Sequence, residues 1–327
     1  MTVDRMTALL ISGTDHCEVV DLPVPVPGEN EVRLAITHCT LCRTDAKMLH
    51  VGQRDLVLPR VPGHEIVARH ERTGSRFAVW PGAACGHCRS CLNGAENLCA
   101  KMRILGFHRD GGLAEFLCAK LENLLPVPEE LSGTVASLAE PLGAGMNALD
   151  QLDLSEGNRL LVAGAGPVGL LLALAARQSG WRVTLSEVSQ ARIEQTRPFC
   201  ETLQVPVLAP EALPDEFDAA INATSAPAAL EQITSHLTNG GQFCLFSGLP
   251  TGTDGGALLN ETHYRQLRLT GAYGCTRAQM RRALDLLTEC PQEAGLLIGR
   301  CIGLEDAPEA LRRIWNGMAL KHTVCFE

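Results

Sequence analysis

The spacing of apolar and polar positions gives the chain two rhythms. Up to about residue 140, short β-like segments are broken by Pro and Gly. Val19 to Leu22 runs into the turn PVPVPGEN, and Glu31 to Ile36 alternates as a half-buried strand. A different rhythm starts at Leu160. LLVAGAG is a short apolar run ending in glycines, Val168 to Gln178 is apolar over a helical length closed by Gly180, and WRVTLSE is a second strand. A helix from Gln190, a strand Phe217 to Asn222, a helix Ala226 to Leu237 and a strand Gly241 to Ser247 follow. Strands alternating with helices predict parallel βαβ units, so the fold class is α/β: a doubly wound parallel sheet behind a β-rich first region. From Thr276 the pattern is mixed again, with AQMRRALDLLTEC as a helix. The expected division is 1–143, 144–275 and 276–327, without internal repeats or low-complexity tracts.

Composition narrows the function more than the fold. The 327 residues suffice for two cores, and with only 4% aromatics those cores must be mostly Leu, Val and Ala. A net charge of −9 opposes a nucleic-acid partner and an anionic membrane surface. No apolar run reaches the ~18 residues of a membrane span. The start, MTVDRMTALLISGTDHCEVV, lacks the basic and apolar regions of a signal peptide, so a cytoplasmic protein is expected. The 14 cysteines are then expected to stay reduced. Nine of them (Cys17, Cys39, Cys118, Cys200, Cys244, Cys275, Cys290, Cys301, Cys325) are scattered and read as small buried hydrophobes.

Four others crowd into CGHCRSCLNGAENLC: Cys85, Cys88, Cys91 and Cys99. Their C-x2-C-x2-C-x7-C spacing suits four thiolates around one tetrahedral zinc, with Gly86, Ser90 and Gly94 allowing tight turns. Four ligands leave no open position, so this zinc would be structural. A redox CxxC or a chance cluster is the alternative. His87 is left as a loop residue. Upstream, Cys42-Arg43-Thr44-Asp45 and Pro62-Gly63-His64-Glu65 could supply a thiolate, an imidazole and a carboxylate to a second ion. Three protein ligands leave a fourth position for water or substrate, the pattern of catalytic zinc.

Gly164-Ala165-Gly166-Pro167-Val168-Gly169 fits GxGxxG between an apolar strand and an apolar helix. The first glycine permits the turn, the second admits a pyrophosphate to the backbone, and the third lets helix pack on strand. The helix N-terminus then offers unpaired N–H groups to the phosphates. Glu187 stands eighteen residues after Gly169, at the end of the second strand. A carboxylate there accepts bonds from ribose hydroxyls and repels a 2′-phosphate, which favours NAD over NADP. A solvated strand-end acid is the plain alternative, with Arg192 close by.

The order CRTD, GHE, the four-cysteine loop and GxGxxG, with GGLAEF at Gly111 to Phe116 and AEPLGAGMNAL at Ala139 to Leu149, resembles the zinc-dependent medium-chain alcohol and polyol dehydrogenases of the sorbitol- and threonine-dehydrogenase type. The resemblance spans nearly the whole chain. It implies a GroES-like β-rich catalytic domain, a Rossmann domain, and a final segment that returns to the first domain. It implies one catalytic and one structural zinc, with Cys42 and His64 as catalytic ligands and Glu65 as a third ligand or a group that exchanges with water. Alcohol-type members place a cysteine later in the chain. At what looks like that position stands Glu140, which is either a ligand or a helix-start residue. The nineteen residues between Glu65 and Cys85 are fewer than the family pattern has, which suggests a trimmed hairpin away from the zinc.

In such enzymes the metal acts as a Lewis acid on the substrate hydroxyl, and hydride passes to the nicotinamide. Thr44 matches the hydroxyl that starts the family's proton path, Asp45 would orient His64, His50 could carry the proton outward, and Arg192 would flank the adenosine ribose. Lys321 or Arg43 would neutralise pyrophosphate. Polar residues near the expected substrate loops (Thr44, His50, His108, Arg109, Asp110, Thr276) suit a small hydroxylated substrate: a polyol, sugar, cyclitol or hydroxy amino acid. Homodimers or homotetramers are usual in the family, and GGQFCLFSG or the segment before Thr276 could pair across an interface. Two other readings stay open: an NADPH-dependent aldehyde reductase of the same fold, and a zinc-stabilised scaffold without activity.

Overall fold

The computed structural model describes residues 4–54 and 56–326; the parts of the sequence readings that fall on residues 1–3, Asp55 and Glu327 lie outside it. The chain forms two compact units, one within residues 1–140 and 276–327, the other over 141–275.

In the first unit, strands Arg5–Gly13 and His16–Pro23 pair as an antiparallel hairpin. Among the described residues a seven-stranded sheet runs in the order 298–302, 321–325, 31–40, 65–70, 76–79, 124–126, with Phe116–Lys120 also paired to Glu31–Thr40. The strand Glu31–Thr40 outruns the alternation that ends at Ile36. Its last residues are held by cross-strand pairing, Thr40 to both Glu65 and Thr323, rather than by side-chain pattern. The segment between Glu65 and Cys85 makes a short hairpin, Glu65–His70 against Arg76–Val79. Beneath the sheet, Leu9, Ile11, Leu34, Leu41, Leu49, Ile66 and Leu113 are buried. Each such side chain contributes roughly 1.5–3 kcal/mol by leaving water.

Two of the scattered cysteines are not separate. Cys301 and Cys325 form a disulfide with a Cα–Cα distance of 5.8 Å. Parallel pairing of Ile298–Ile302 with Lys321–Cys325 sets Cys301 opposite Thr323, two residues from Cys325, a proximity that no local pattern announces. The expectation that every cysteine stays reduced is corrected at this pair.

The second unit is an all-parallel six-stranded sheet in the order 207–208, 182–186, 159–163, 217–222, 237–245, 268–271. The chain enters in the middle, builds to one edge, then crosses back, which is the doubly wound arrangement. Helices Pro167–Gln178, Gln190–Leu203, Ala228–Ser235 and Gly256–Tyr264 make the crossovers. Pro167 opens its helix at N1, where its missing N–H costs nothing. The strand Leu237–Leu245 is flanked on both sides, so GGQFCLFSG has no free edge to offer a second copy; Arg268–Gly271 is the edge strand. Among the described residues no helix is long and apolar enough to cross a membrane.

Candidate active site

The four-cysteine loop is built from local turns. Gly86 and Gly94 adopt φ of 75° and 74°, where a side chain would be strained. Cys88 caps the short helix Arg89–Leu92, and the turn Glu96–Leu98 delivers Cys99. All four sulfurs lie within 4.8 Å of one another. Cys91 Sγ is 3.9 Å from Cys85 Sγ and 3.5 Å from Cys88 Sγ. A tetrahedron with 2.3 Å Zn–S bonds has edges of about 3.8 Å, so the donor set fits zinc. Cys99 Sγ accepts N–H bonds from Cys85 (3.3 Å) and Lys101 (3.4 Å). The Cys91 N–H and thiol push the Cys88 thiol down to about 6. His87 turns aside, its Nδ1 2.7 Å from the Cys85 carbonyl. Arg277 pins the loop, with Nε 3.0 Å from Glu96 Oε1.

A second donor group gathers from distant segments. Cys42 Sγ, a ring nitrogen of His64 and a carboxylate oxygen of Glu65 also lie within 4.8 Å of one another. Cys42 caps the helix Arg43–His50, and its sulfur accepts the Thr44 N–H at 3.5 Å. Gly63, at φ 96°, turns the chain into His64; a Cβ there would sit 2.7 Å from Cys39 Sγ. Asp45 ties the two loops together. It is fully buried and accepts the Cys42 N–H (2.9 Å) and the Gly63 N–H (3.1 Å). Its Oδ1 lies 3.3 Å from His64 Nδ1, an ion-pair distance without hydrogen-bond alignment. Burial acts to raise the Asp45 carboxyl, but His64 and the two N–H bonds outweigh it and hold it below the usual range. Burial likewise acts to lower His64, and Asp45 drives it well above. Phe107 presses on the His64 ring, centroids 5.2 Å apart.

Lys321 is the residue that sequence reasoning misplaced. It is 2% exposed, its Nζ lies 2.6 Å from both Glu65 oxygens, and it also donates to the Leu41 carbonyl. Burial acts to lower the ammonium, but Glu65 and Cys42 raise it. Buried against Glu65, it is not the pyrophosphate partner the sequence suggested. Arg43 is exposed, donates to the Trp315 carbonyl at 3.0 Å and lies over the Trp315 ring. A buried hydroxyl contact, Thr40 Oγ1 to Thr323 Oγ1 at 2.7 Å, anchors the strand that carries Lys321. Glu140 opens the helix Ala139–Asp150 and stands outside the three-donor group. Desolvation pushes its carboxyl up to about 7, with His64 opposing and Glu65 adding repulsion.

In the second unit the glycine loop has the packing its sequence demands. A Cβ on Gly169 would sit 1.9 Å from the Gly164 carbonyl oxygen, whereas one on Gly166 would meet nothing within 4 Å. Gly166 caps the helix Pro167–Gln178, with Val168 in its first turn, and no side chain there occupies the N-terminal N–H groups. Such a cradle suits a pyrophosphate. Glu187 hangs over it, accepting the Ala165 N–H (3.1 Å) and the Ser189 N–H (2.9 Å). Arg192 lies along its own helix, its guanidinium 2.8 Å from Gln195 Oε1.

Several polar residues expected to face substrate have local structural partners. His50 pairs with Asp15 and stacks on Trp315, Arg109 pairs with Glu31, Asp110 with Arg60, and Thr276 caps the helix Arg277–Glu289. His108 Nδ1 accepts the Ile104 N–H.

Comparison with known proteins agrees with this architecture. The family described as "Alcohol dehydrogenase GroES-like domain" matches residues 28–129. An L-threonine 3-dehydrogenase of Mesorhizobium japonicum is 27% identical over 92% of this chain and 93% of its own. An L-galactonate-5-dehydrogenase of Escherichia coli K12 is 34% identical over 61% and 60%. A crystal structure described as a zinc-binding dehydrogenase of Sinorhizobium meliloti 1021, bound to NADP, superposes with a TM-score of 0.89 at 25% identity, covering 99% of this chain and all of that one. The chain has an alcohol dehydrogenase GroES-like domain and a Rossmann-type parallel sheet, and its relatives support a place among the zinc-dependent medium-chain alcohol and polyol dehydrogenases.

Proposed function

We propose that this dehydrogenase uses NAD and one catalytic zinc to oxidise a secondary hydroxyl of a small polyol, sugar acid or hydroxy amino acid to a ketone, with a second zinc in the four-cysteine loop. The observation that carries the reading is the convergence of half-buried Cys42 with buried His64 and Glu65 within 4.8 Å at a helix N-terminus. When bound, zinc supplies a Lewis acid for the substrate hydroxyl and NAD supplies the hydride acceptor. The chain's own residues do the rest. Thr44 Oγ1 relays the substrate's hydroxyl proton, accepting it as Thr44's own O–H proton passes on to water. Asp45 holds His64 through Nδ1 and leaves Nε2 as the metal donor. Lys321 balances the Glu65 charge, so the site stays nearly neutral in a dry setting. Glu65 is the third donor, and Glu140 acts from outside that set. Glu187 supports NAD by rejecting a 2′-phosphate, although a structural neighbour carries NADP.

The substrate class rests on the relatives, which act on threonine and galactonate, each bearing a secondary hydroxyl. The four free thiols of the zinc loop support a reducing, cytoplasmic setting, against which the Cys301–Cys325 bond counts. The unpaired edge at Arg268–Gly271 supports a homodimer or homotetramer. The test is a panel of polyols, sugar acids and hydroxy amino acids, run separately with NAD and NADP and followed by reduced-cofactor absorbance, alongside metal analysis. The reading expects about two zinc per chain and turnover with NAD. Preference for NADP would remove Glu187 from its role, and a single zinc with no turnover would favour the scaffold reading.

A further inference from the structure

The dinucleotide loop lies at the carboxyl ends of the parallel strands. The opposite, amino end of the same sheet carries a different feature. Arg159 and Arg182 are the first residues of neighbouring strands and face each other in register. With Arg177, Thr184 and Gln204 they line one cavity of about 260 Å³. Adjacent strands are about 4.8 Å apart, and like charges placed opposite each other are destabilising unless something offsets them. No carboxylate does so: among the described residues none of the three guanidiniums makes an ion pair. Glu156, three residues before Arg159, is exposed, and Asp218 spends one carboxylate oxygen on the Arg159 backbone N–H (2.7 Å) and the Asn158 amide (3.2 Å). In a chain of net charge −9, three uncompensated cations around one cavity call for an explanation.

Two of the three are also held in place. Arg159 lies 5.1 Å over the ring of Phe217, a 1% exposed residue. Arg177 donates Nε to the Leu203 carbonyl (3.4 Å) and a terminal nitrogen to the Trp181 carbonyl (3.3 Å). Those partners use one edge of each group and leave further N–H donors, since a guanidinium carries five. Guanidiniums fixed before binding lose little freedom on meeting an oxyanion. Thr184 and Gln204 add neutral hydrogen-bonding groups to the wall.

We propose that this cavity is a second anion site, distinct from the glycine loop, that binds a small molecule carrying two or more oxyanion groups, of the diphosphate or polycarboxylate class. The site belongs to the sheet unit alone and does not depend on the zinc chemistry.

The test is calorimetric titration of the full chain with sodium pyrophosphate and, separately, with citrate, at constant ionic strength. Pyrophosphate could also enter the glycine loop, so four proteins are compared: wild type, R182Q, R159Q/R182Q and G166E. The last puts a carboxylate into the glycine loop, where its Cβ meets nothing within 4 Å. Binding is expected to one equivalent in wild type, to persist in G166E, and to weaken about tenfold for each guanidinium removed. Arg182 is exposed, so R182Q should melt at the wild-type temperature and still bind less. The proposal is overturned if neither anion binds wild type, if R159Q/R182Q binds both as wild type does, or if G166E abolishes all binding. Pyrophosphate alone would place the ligand among phosphates, citrate alone among carboxylates.

Discussion

The two donor groups of the first unit solve opposite problems with overlapping chemistry. The four-cysteine loop draws all its sulfurs from fifteen consecutive residues, is only partly buried, and fixes itself with glycine turns and backbone N–H bonds. The Cys42–His64–Glu65 group draws mixed donors from separate segments. Two of its three donors are buried, and it needs Asp45 and Lys321 to hold its charges. A closed set of four thiolates would carry a net charge of −2 with zinc, which its exposure to water and the backbone N–H bonds to sulfur offset locally. An open, mixed set must be assembled by the whole domain, because each charge removed from water needs a partner.

The sharpest way to test that contrast is to remove one sulfur from each group. C42S should lower turnover by about a thousandfold, the several kcal/mol a Lewis acid supplies, while the chain keeps one zinc and its melting temperature. C88S should do the reverse: zinc is lost from the loop, the melting temperature drops, and activity falls only as the fold loosens. Equal melting temperatures for the two variants would erase the distinction. Next in size, K321M leaves Glu65 buried without its cation and should cost about 3–5 kcal/mol of stability; chemical denaturation measures it, and K321M/E65Q should recover much of the loss. D45N keeps the shape but weakens the hold on His64. Loss of such outer support should reduce zinc affinity at that site by roughly 10–100-fold, read by chelator competition with the four-cysteine loop as internal control.

The smallest effect concerns pH and two histidines that are not among the donors. His38 is held below the ordinary histidine value by burial and by Arg76 and Arg69, and His322 by burial and by Arg313 and Arg300. The folded state thus binds fewer protons than the unfolded one. Their stability contribution is complete above about pH 6.5 and declines as pH falls below it. Urea denaturation between pH 7 and pH 5 should show that decline, and H38Q should flatten it. An unchanged slope would remove His38 as a cause.

What the sequence made legible follows from range. GAGPVG could be read because its three glycines act within six residues, and Phe217–Asn222 matched its apolar run because a buried strand needs nothing else. The Cys88 and Cys91 pairing was readable from spacing for the same reason. Lys321 was not: its partner Glu65 lies 256 positions away, and a lysine at a strand start looks like any surface charge. The Cys301–Cys325 bond hides in the register of two strands. The ion pairs of His50, Arg109 and Asp110 with Asp15, Glu31 and Arg60 were not legible either, because those partners sit far from them in the chain.

The ion pair between Glu65 and Lys321 also has a consequence in time. During synthesis, the loops bearing Cys42, His64 and Glu65 emerge early, yet their countercharge arrives only when the ribosome has added residue 321. A nascent chain therefore carries a buried-to-be carboxylate with no cation to meet it. Any product cut short before that lysine would hold the thiolate and imidazole without the brace that settles them, so the pocket is completed only once residue 321 has been added, not by folding of the earlier segments alone.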